Sequence, residues 1–155
     1  MFTVQPHPKA RLVDGPLRPV VFVAPDTPLT VVAQSLGENN VSCVLVGLPG
    51  ELCSIVTERD LARAWRYDLT GRDPVSTVAV PSPLTIPGYA TMFDAAGLML
   101  RHGIRHLVVT DQSKAIGVLS IRDALAALVS DHGSRELAAD AIQWALSDHP
   151  EMWWG

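Results

Sequence analysis

The sequence predicts a mixed α/β (α+β) fold built from two similar halves. The main observation is an internal repeat, because residues 41–60 align without a gap on residues 104–123, 63 positions later. Both copies run apolar strand, polar turn, apolar strand, hydroxyl residue and an Arg-Asp pair that opens a helix. The second observation is composition. With 48% hydrophobic and 18% charged residues, the 155 residues can form a core shared by two small halves.

Hydrophobic periodicity and turn residues place the elements in order. The first half is expected to contain a strand, a helix, two strands and a helix, near residues 20–23, 28–38, 41–46, 52–56 and from 58 onward. Pro28 is expected as the first helical residue after a Thr or Asp cap. Ala33 is expected on the inner face of that helix, and Trp65 on the same face of the second helix as Ala64. The second half repeats this order near residues 84–86, 90–102, 104–109, 115–119 and 121–131.

The expected organisation has five parts, and two of them are the repeats. They are an N-terminal arm (1–18), a first repeat (19–66), a linker (67–76), a second repeat (77–131) and a C-terminal helix with a Trp-rich tail (132–155). One repeat cannot bury both faces of its sheet alone, so the two should pack on each other. The tryptophans of the tail are interpreted as packing on the protein itself or within a dimer, rather than on a foreign partner.

Charge and hydropathy exclude several classes of function. The net charge is −4 and the basic residues form no cluster, so nucleic-acid binding is not expected. No apolar run approaches the roughly 18 residues of a membrane span, and no secretory signal is recognised. A cytoplasmic location without membrane contact is therefore predicted. A mean hydropathy of +0.21 favours a further buried surface, most simply in a homodimer.

The residues that could carry chemistry do not predict an enzyme. Cys43 and Cys53 fall in strand patterns and are interpreted as buried free thiols in preference to a disulfide. The histidines lack the spacing of metal ligands, so no metal is assigned. Neither a catalytic triad nor a phosphate-binding glycine loop is recognised. We therefore expect no catalysis and no cofactor.

The repeated helix starts carry the strongest indication of a ligand. Thr57 stands three residues before Asp60, and Ser120 stands three residues before Asp123. A hydroxyl at a helix start can donate to a phosphate, and a carboxylate one turn later can accept from sugar hydroxyls. The alternative is a plain helix cap with an acidic third residue. Two occurrences at equivalent places in a repeat favour the ligand.

These endings, together with residues 104–111 and the tandem copy, resemble the cystathionine-β-synthase (CBS) domain, and the pair resembles a Bateman module over about residues 19–130. The resemblance implies two halves packed sheet to sheet about a pseudo-twofold axis, and usually a dimer. It also implies two clefts that bind AMP, ADP, ATP or S-adenosylmethionine. One cleft would combine Thr57 and Asp60 with Ile104, Arg105 and His106. The other would combine Ser120 and Asp123 with Thr27, Val41 and Ser42.

The resemblance also implies that the two clefts differ in charge. Arg105 and His106 stand where many family members carry basic residues that reach phosphate, whereas the first half has Ser42 and Cys43 there. His106 has two interpretations: a phosphate contact, or a strand histidine that faces the other half. Arg59 and Arg122 each precede a key aspartate, and they either contact phosphate or pair with a nearby acid.

The sequence therefore predicts a non-enzymatic regulatory module. Its adenosine-containing ligand would alter the contacts made with an unidentified partner protein by shifting a conformational equilibrium. The alternative is a constitutive dimeric interaction protein whose ligand clefts are vestigial.

Overall fold

A computed structural model describes residues 10–15, 17–49 and 54–130 of the chain, with side chains to residue 127. The helices are α1 (Leu29–Asn39), α2 (Glu58–Ala64), α3 (Met92–His102) and α4 (Ile121–Ser130). The strands are β1 (Phe22–Val23), β2 (Cys43–Val46), β3 (Ser54–Thr57), β4 (Val80–Pro81), β5 (Thr85–Pro87), β6 (His106–Asp111) and β7 (Lys114–Ser120). Within these residues, no helix has the length and apolar character needed to cross a membrane.

The strands form two sheets, one for each half. The first has the order β1-β2-β3-β4 and the second the order β5-β6-β7. In each sheet the first strand is parallel to the second, and the next strand is antiparallel. Cys43 opposes Thr57 in the first sheet, and His106 opposes Ser120 in the second. Both members of the second pair lie 63 residues after those of the first. The predicted repeat is therefore confirmed down to the register of its hairpins.

One face of each sheet packs on its own two helices. In the first half, Val44, Val46 and Val56 join Leu29 and Val32 of α1 in one apolar cluster. The second half builds the same kind of cluster from β6, β7, α3 and α4, with Leu107, Val109, Leu119, Met92 and Met99 among its members. Because side chains alternate between the faces of a strand, these residues define the helix-covered face of each sheet.

The opposite faces of the two sheets cover each other. Cys43, Leu45 and Val108 are at most 4% exposed, yet they belong to neither helix-packed cluster. Alternation places them on the faces turned away from the helices. A side-chain hydrogen bond of 2.6 Å joins Ser42 of the first half to His106 of the second across this boundary. The predicted packing of sheet on sheet is confirmed.

Each half also takes in a short segment that precedes the other repeat. We call residues 10–15 and 17–18 the lead-in segment. Within it, Leu12 is fully buried in the apolar cluster of the second half, and its N–H donates to the carbonyl of Ala90 at 2.8 Å. Arg18 forms an antiparallel bridge with Val118 of β7. In the same way β4, which precedes β5, pairs with β3 of the first sheet.

Three local predictions are wrong. Pro28 has extended backbone angles (φ −61°, ψ 143°) and is the residue before α1, because linker carbonyls of Asp73 and Gly71 accept the first helical N–H groups. Ala33 is exposed, since the buried stripe of α1 is narrower than predicted. Trp65 is 69% exposed, because α2 ends at Ala64 and the chain continues as a 3-10 turn.

Other predictions concern residues that cannot be compared with the structure. The predicted C-terminal helix and Trp-rich tail, as well as Cys53, lie outside the described residues.

Cys43 is a buried free thiol, as predicted. Its burial, with a further contribution from the carboxylate of Glu58, raises the pKa of this thiol to about 12. Cys43 is therefore protonated and unreactive at neutral pH.

Candidate functional site

The two repeated hydroxyl–carboxylate pairs have the same geometry. Thr57 donates to Oδ2 of Asp60 from both its hydroxyl (2.7 Å) and its backbone N–H (2.8 Å). Ser120 donates to Oδ2 of Asp123 from its hydroxyl (2.7 Å) and its N–H (3.2 Å). In each pair the strand ends at the hydroxyl residue and the helix begins directly after it. The cap therefore uses Oδ2, and the Oδ1 atom of each aspartate points away from it.

This cap geometry alone does not identify a ligand site. Thr91 and Asp94 make the same two hydrogen bonds at the start of α3, and these lower the pKa of Asp94. What separates the pairs is burial. Asp94 is exposed, whereas Asp60 is only 7% exposed and the side chain of Asp123 is 16% exposed. Carboxylates are rarely this buried unless they have a partner, so burial distinguishes Asp60 and Asp123 from ordinary caps.

A cavity of about 460 Å³ opens beside Asp60. Most of its wall comes from residues 67–80, which follow α2 and end in β4. The lining residues are Asp60, Arg63, Tyr67, Leu69, Thr77, Val78 and Val80. Apolar walls with a few converging polar groups are typical of small-molecule sites. The sequence reasoning missed this part of the wall, because residues 67–80 follow no helical or strand periodicity.

The boundary between the halves brings three of the predicted residues together. Ser42 Oγ is 2.6 Å from Nε2 of His106, and His106 stands opposite Ser120 in the β6–β7 ladder. The backbone carbonyls of Ser42 and Arg105 accept the first N–H groups of α2 and α4, at 3.2 Å and 2.9 Å. Each of these two strand starts is therefore tied to the helix start of its own half.

His106 is held as a neutral side chain at this boundary. The pKa of His106 is lowered to about 4, mainly by burial and also by the cations Arg105 and Arg59, against the opposing effect of Asp123. At neutral pH the imidazole is uncharged, and its hydrogen bond with Ser42 crosses between the halves. This contact matches the second interpretation of His106, in which the side chain faces the other half.

Positive charge is concentrated near Asp60. Burial is the main cause that lowers the pKa of Arg59, followed by the nearby cations Arg105 and Arg63, while Asp60 acts in the opposite direction. Arg59 and Arg63 belong to α2, whereas Arg105 precedes β6 of the second half. Guanidinium groups of both halves therefore act on the same region. Such a region attracts anions.

Three predicted cleft residues make backbone hydrogen bonds with partners other than the aspartate of the other half. The carbonyl of Thr27 accepts from Val75 at 2.8 Å, and the N–H of Val41 donates to Leu36 at 3.0 Å. The N–H of Ile104 donates to Met99 at 3.0 Å. These bonds hold each residue at the entrance to a helix or strand of its own half. Their role as ligand contacts stays a prediction.

The sequence reasoning also missed a cation beside the second carboxylate. Nη2 of Arg18 lies 3.7 Å from Oδ1 of Asp123. Arg18 belongs to the lead-in segment, which was predicted only as an arm. The apolar residues Leu12 and Leu17 in that Pro-rich stretch were the signal that it packs on the protein.

Comparisons with known proteins agree with this fold. A family model described as the CBS domain matches residues 13–67 and 75–130. The CBS domain-containing protein YhcV of Bacillus subtilis is 29% identical over 124 residues, which is 79% of this chain and 86% of that protein.

Two solved structures with bound AMP are also similar. The CBS domain protein PAE2072 from Pyrobaculum aerophilum, complexed with AMP, is 31% identical with a TM-score of 0.69, over 83% of this chain and 98% of that one. The structure of CBSX2 in complex with AMP is 25% identical with a TM-score of 0.63, over 78% and 97%.

Proposed function

This chain belongs to the CBS-domain family, with two CBS domains in tandem, and from that premise we propose that it is a regulatory module that binds an adenosine-containing ligand between its halves. The ligand is AMP, ADP, ATP or S-adenosylmethionine. The module performs no catalysis. Binding favours one arrangement of the halves over another, and this difference alters the contacts made with a partner protein. The AMP complexes of two similar proteins support the proposal.

The observation that carries this proposal is the pair of buried carboxylates whose helix caps use only one oxygen. Oδ2 of Asp60 and Oδ2 of Asp123 are held by their caps, whereas each Oδ1 lies near an arginine, Arg63 at 4.0 Å and Arg18 at 3.7 Å, that a ribose hydroxyl would replace. In the first cleft, the cavity beside Asp60 has room for a ligand. Arg59 and Arg105 supply positive charge for a phosphate near Asp60, and the Thr57 hydroxyl stands three residues before this carboxylate.

The remaining members of the two clefts are proposed on the family pattern. In the first cleft they are Ile104 and His106. His106 would contact the ligand as a neutral side chain and not through a charge. In the second cleft Ser120 lies near the phosphate, with Thr27, Val41 and Ser42 on the side of the base.

We further propose a homodimer located in the cytoplasm. Exposed aromatic side chains at Trp65, Tyr67 and Tyr89, each at least 69% exposed, support a further contact surface.

Thermal unfolding with added ligand tests this function. The full chain is heated with AMP, ADP, ATP or S-adenosylmethionine, each over a range of concentrations. A ligand at 100 times its dissociation constant stabilises the folded state by about 2.7 kcal/mol, so a saturating rise in Tm with at least one compound is expected. If none of the four compounds raises the Tm, the proposal is wrong.

Three matched variants separate ligand contact from helix capping. Asp60→Ala, Asp123→Ala and Asp94→Ala each remove the carboxylate of an equivalent cap. All three should lower the Tm of the free protein. Only the first two should reduce the additional rise caused by the ligand, because Asp94 is exposed at a helix start outside both clefts. An equal reduction in all three would mean that the carboxylates act through stability alone.

A further inference from the structure

We propose that Arg18 is the specificity-determining cation of the cleft that contains Asp123, and that it makes this cleft select ligands bearing a phosphate. The inference rests on the proposed function, because it concerns the same pair of clefts. It adds a residue from outside both hydroxyl–carboxylate motifs. It also assigns a ligand class to the cleft in which Ser42 and Cys43 replace the basic residues of the other strand.

The backbone of Arg18 is fixed beside the cleft. Its N–H donates to the carbonyl of Val118 at 3.1 Å, and the N–H of Val118 donates back at 3.0 Å. The neighbouring Leu17 packs so closely on β7 that a Cβ added to Gly117 would lie 2.7 Å from its Cβ. The backbone of Arg18 is therefore fixed next to Val118, which is two residues before Ser120 in β7. The Arg18 side chain starts from this defined position.

The guanidinium of Arg18 and the hydroxyl of Ser120 are next to different oxygens of the Asp123 carboxylate. Nη2 of Arg18 is 3.7 Å from Oδ1 of Asp123, while Ser120 donates to Oδ2 at 2.7 Å. The Arg18 side chain is 56% exposed and that of Asp123 only 16%. The cation thus stands at the solvent side of the carboxylate. Because one partner of this ion pair is largely exposed and the two atoms are 3.7 Å apart, the pair contributes little to stability, and a ligand can replace it at small cost.

The equivalent position of the other cleft is occupied by an apolar residue. Arg18 stands opposite Val118, and Val80 stands opposite Ile55 in the first sheet. Val118 follows Ile55 by 63 residues, which is the spacing of the repeat. Val80 is part of the cavity wall beside Asp60. The two segments therefore place an arginine next to Val118 and a valine next to Ile55. Asp60 also has an arginine near its Oδ1, Arg63 at 4.0 Å, but that arginine belongs to α2 of the same repeat and not to the preceding segment.

The charge of Arg18 decides which ligands fit. A buried carboxylate accepts hydrogen bonds from ribose hydroxyls but repels a phosphate on the same ligand. A guanidinium beside it offsets this repulsion and presents paired N–H donors that match phosphate oxygens. When the ribose occupies Oδ1 of Asp123, the guanidinium is released to the phosphate. The cleft should then bind adenosine 5′-phosphates in preference to adenosine.

Binding of AMP and adenosine by isothermal titration calorimetry tests the proposal. The measurements use the full chain carrying Asp60→Ala, so that the cleft with Asp123 is measured alone. Adding Arg18→Gln should weaken AMP binding at least tenfold, while adenosine binding changes less than twofold. Arg18→Lys should retain part of the preference for AMP, because it keeps the charge without the planar donor pair. The matched control is Arg11→Gln, which removes an exposed lead-in arginine that pairs with Asp14 at 2.9 Å; it should change neither affinity.

Each other result overturns the proposal. Equal weakening of AMP and adenosine would mean that Arg18 only holds the lead-in segment in place, and no change would mean that it plays no part. Tighter AMP binding would make Arg18 a competitor of the ligand. If the wild-type chain binds AMP but the Asp60→Ala chain does not, the inference fails and the proposed function stands. If the wild-type chain binds none of the adenosine compounds, the proposed function itself fails.

Discussion

Ser42 and His106 join the two halves through a side-chain hydrogen bond of 2.6 Å, although they lie on strand starts 64 residues apart. Either the Ser42 hydroxyl donates to an unprotonated Nε2, or Nε2–H donates to Ser42 Oγ, and burial keeps His106 neutral at pH 7. Because burial disfavours the charged imidazole, the stability of the folded protein depends on pH in a direction that can be derived.

Acid should weaken the protein through His106. The pKa of His106 is lowered from its ordinary 6.5 to about 4 in the folded protein, so the unfolded chain binds more protons between these values. Stability is therefore highest above pH 6.5, falls as the pH drops toward 4, and changes no further through this group below that. The full effect is on the order of 3 kcal/mol.

Urea unfolding at a series of pH values measures this effect. His106→Gln can keep a hydrogen bond to Ser42 but does not titrate, so its stability should vary much less over this range. His102→Gln is the control, because His102 is exposed at the end of α3. Identical pH profiles for wild type and His106→Gln would refute the assignment.

The two clefts should bind AMP with different affinity. The cleft of Asp60 is next to a cavity and near Arg59, Arg63 and Arg105. We therefore expect two binding events in calorimetry, of which Asp60→Ala abolishes the tighter one and Asp123→Ala the weaker one. Losing the weaker event in Asp60→Ala would reverse the assignment, and one event that both variants abolish would mean a single shared site.

Leu12 should be as important for stability as a central core residue. It is fully buried among residues of the second half although it lies near the start of the chain. Leu12→Ala should lower the free energy of unfolding by about 2–5 kcal/mol, the range for large-to-small changes in a core. Val31→Ala, at a position 46% exposed, is the control and should cost far less. Similar small losses for both variants in urea unfolding would contradict the docking of the lead-in segment.

Two glycine substitutions should act in opposite directions. A Cβ at Gly117 would meet the side chain of Leu17, so Gly117→Ala should destabilise the protein by about 1–3 kcal/mol. Gly97 lies within α3 with no atom within 4 Å of an added Cβ, and Gly97→Ala should stabilise by about 0.5–1 kcal/mol. Thermal unfolding distinguishes them. A neutral Gly117→Ala would show that the lead-in segment can move away from β7 without loss.

The sequence was sufficient for the repeated elements, because an unbroken apolar run bounded by turn residues and a helix with an apolar stripe each leave a recognisable signal. The strands β2 and β6, and the helix starts at Thr57 and Ser120, are predicted in this way. Comparing the two copies also identified Asp60 and Asp123, since within the sequence only repetition distinguishes their caps from that of Thr91 and Asp94.

The sequence was insufficient where two-residue strands pair over long distances. β4 and the bridge at Arg18 are too short for any period, and Arg18 lies 100 residues before its partner Val118. The start of α1 was misplaced for a related reason. Its N–H groups are satisfied by carbonyls of Asp73 and Gly71 in the linker, and local capping rules do not include such partners.

The insertion of the lead-in segment into the second half affects how the chain must fold during its synthesis. Arg18 leaves the ribosome first and cannot form its bridge until β7 has been made, so closing this contact requires a large loop. A cut between the repeats would deprive the first sheet of β4 and the second half of Leu12. The same geometry would let two separate single-repeat chains bind each other, with the segment that precedes each repeat packing on the other chain.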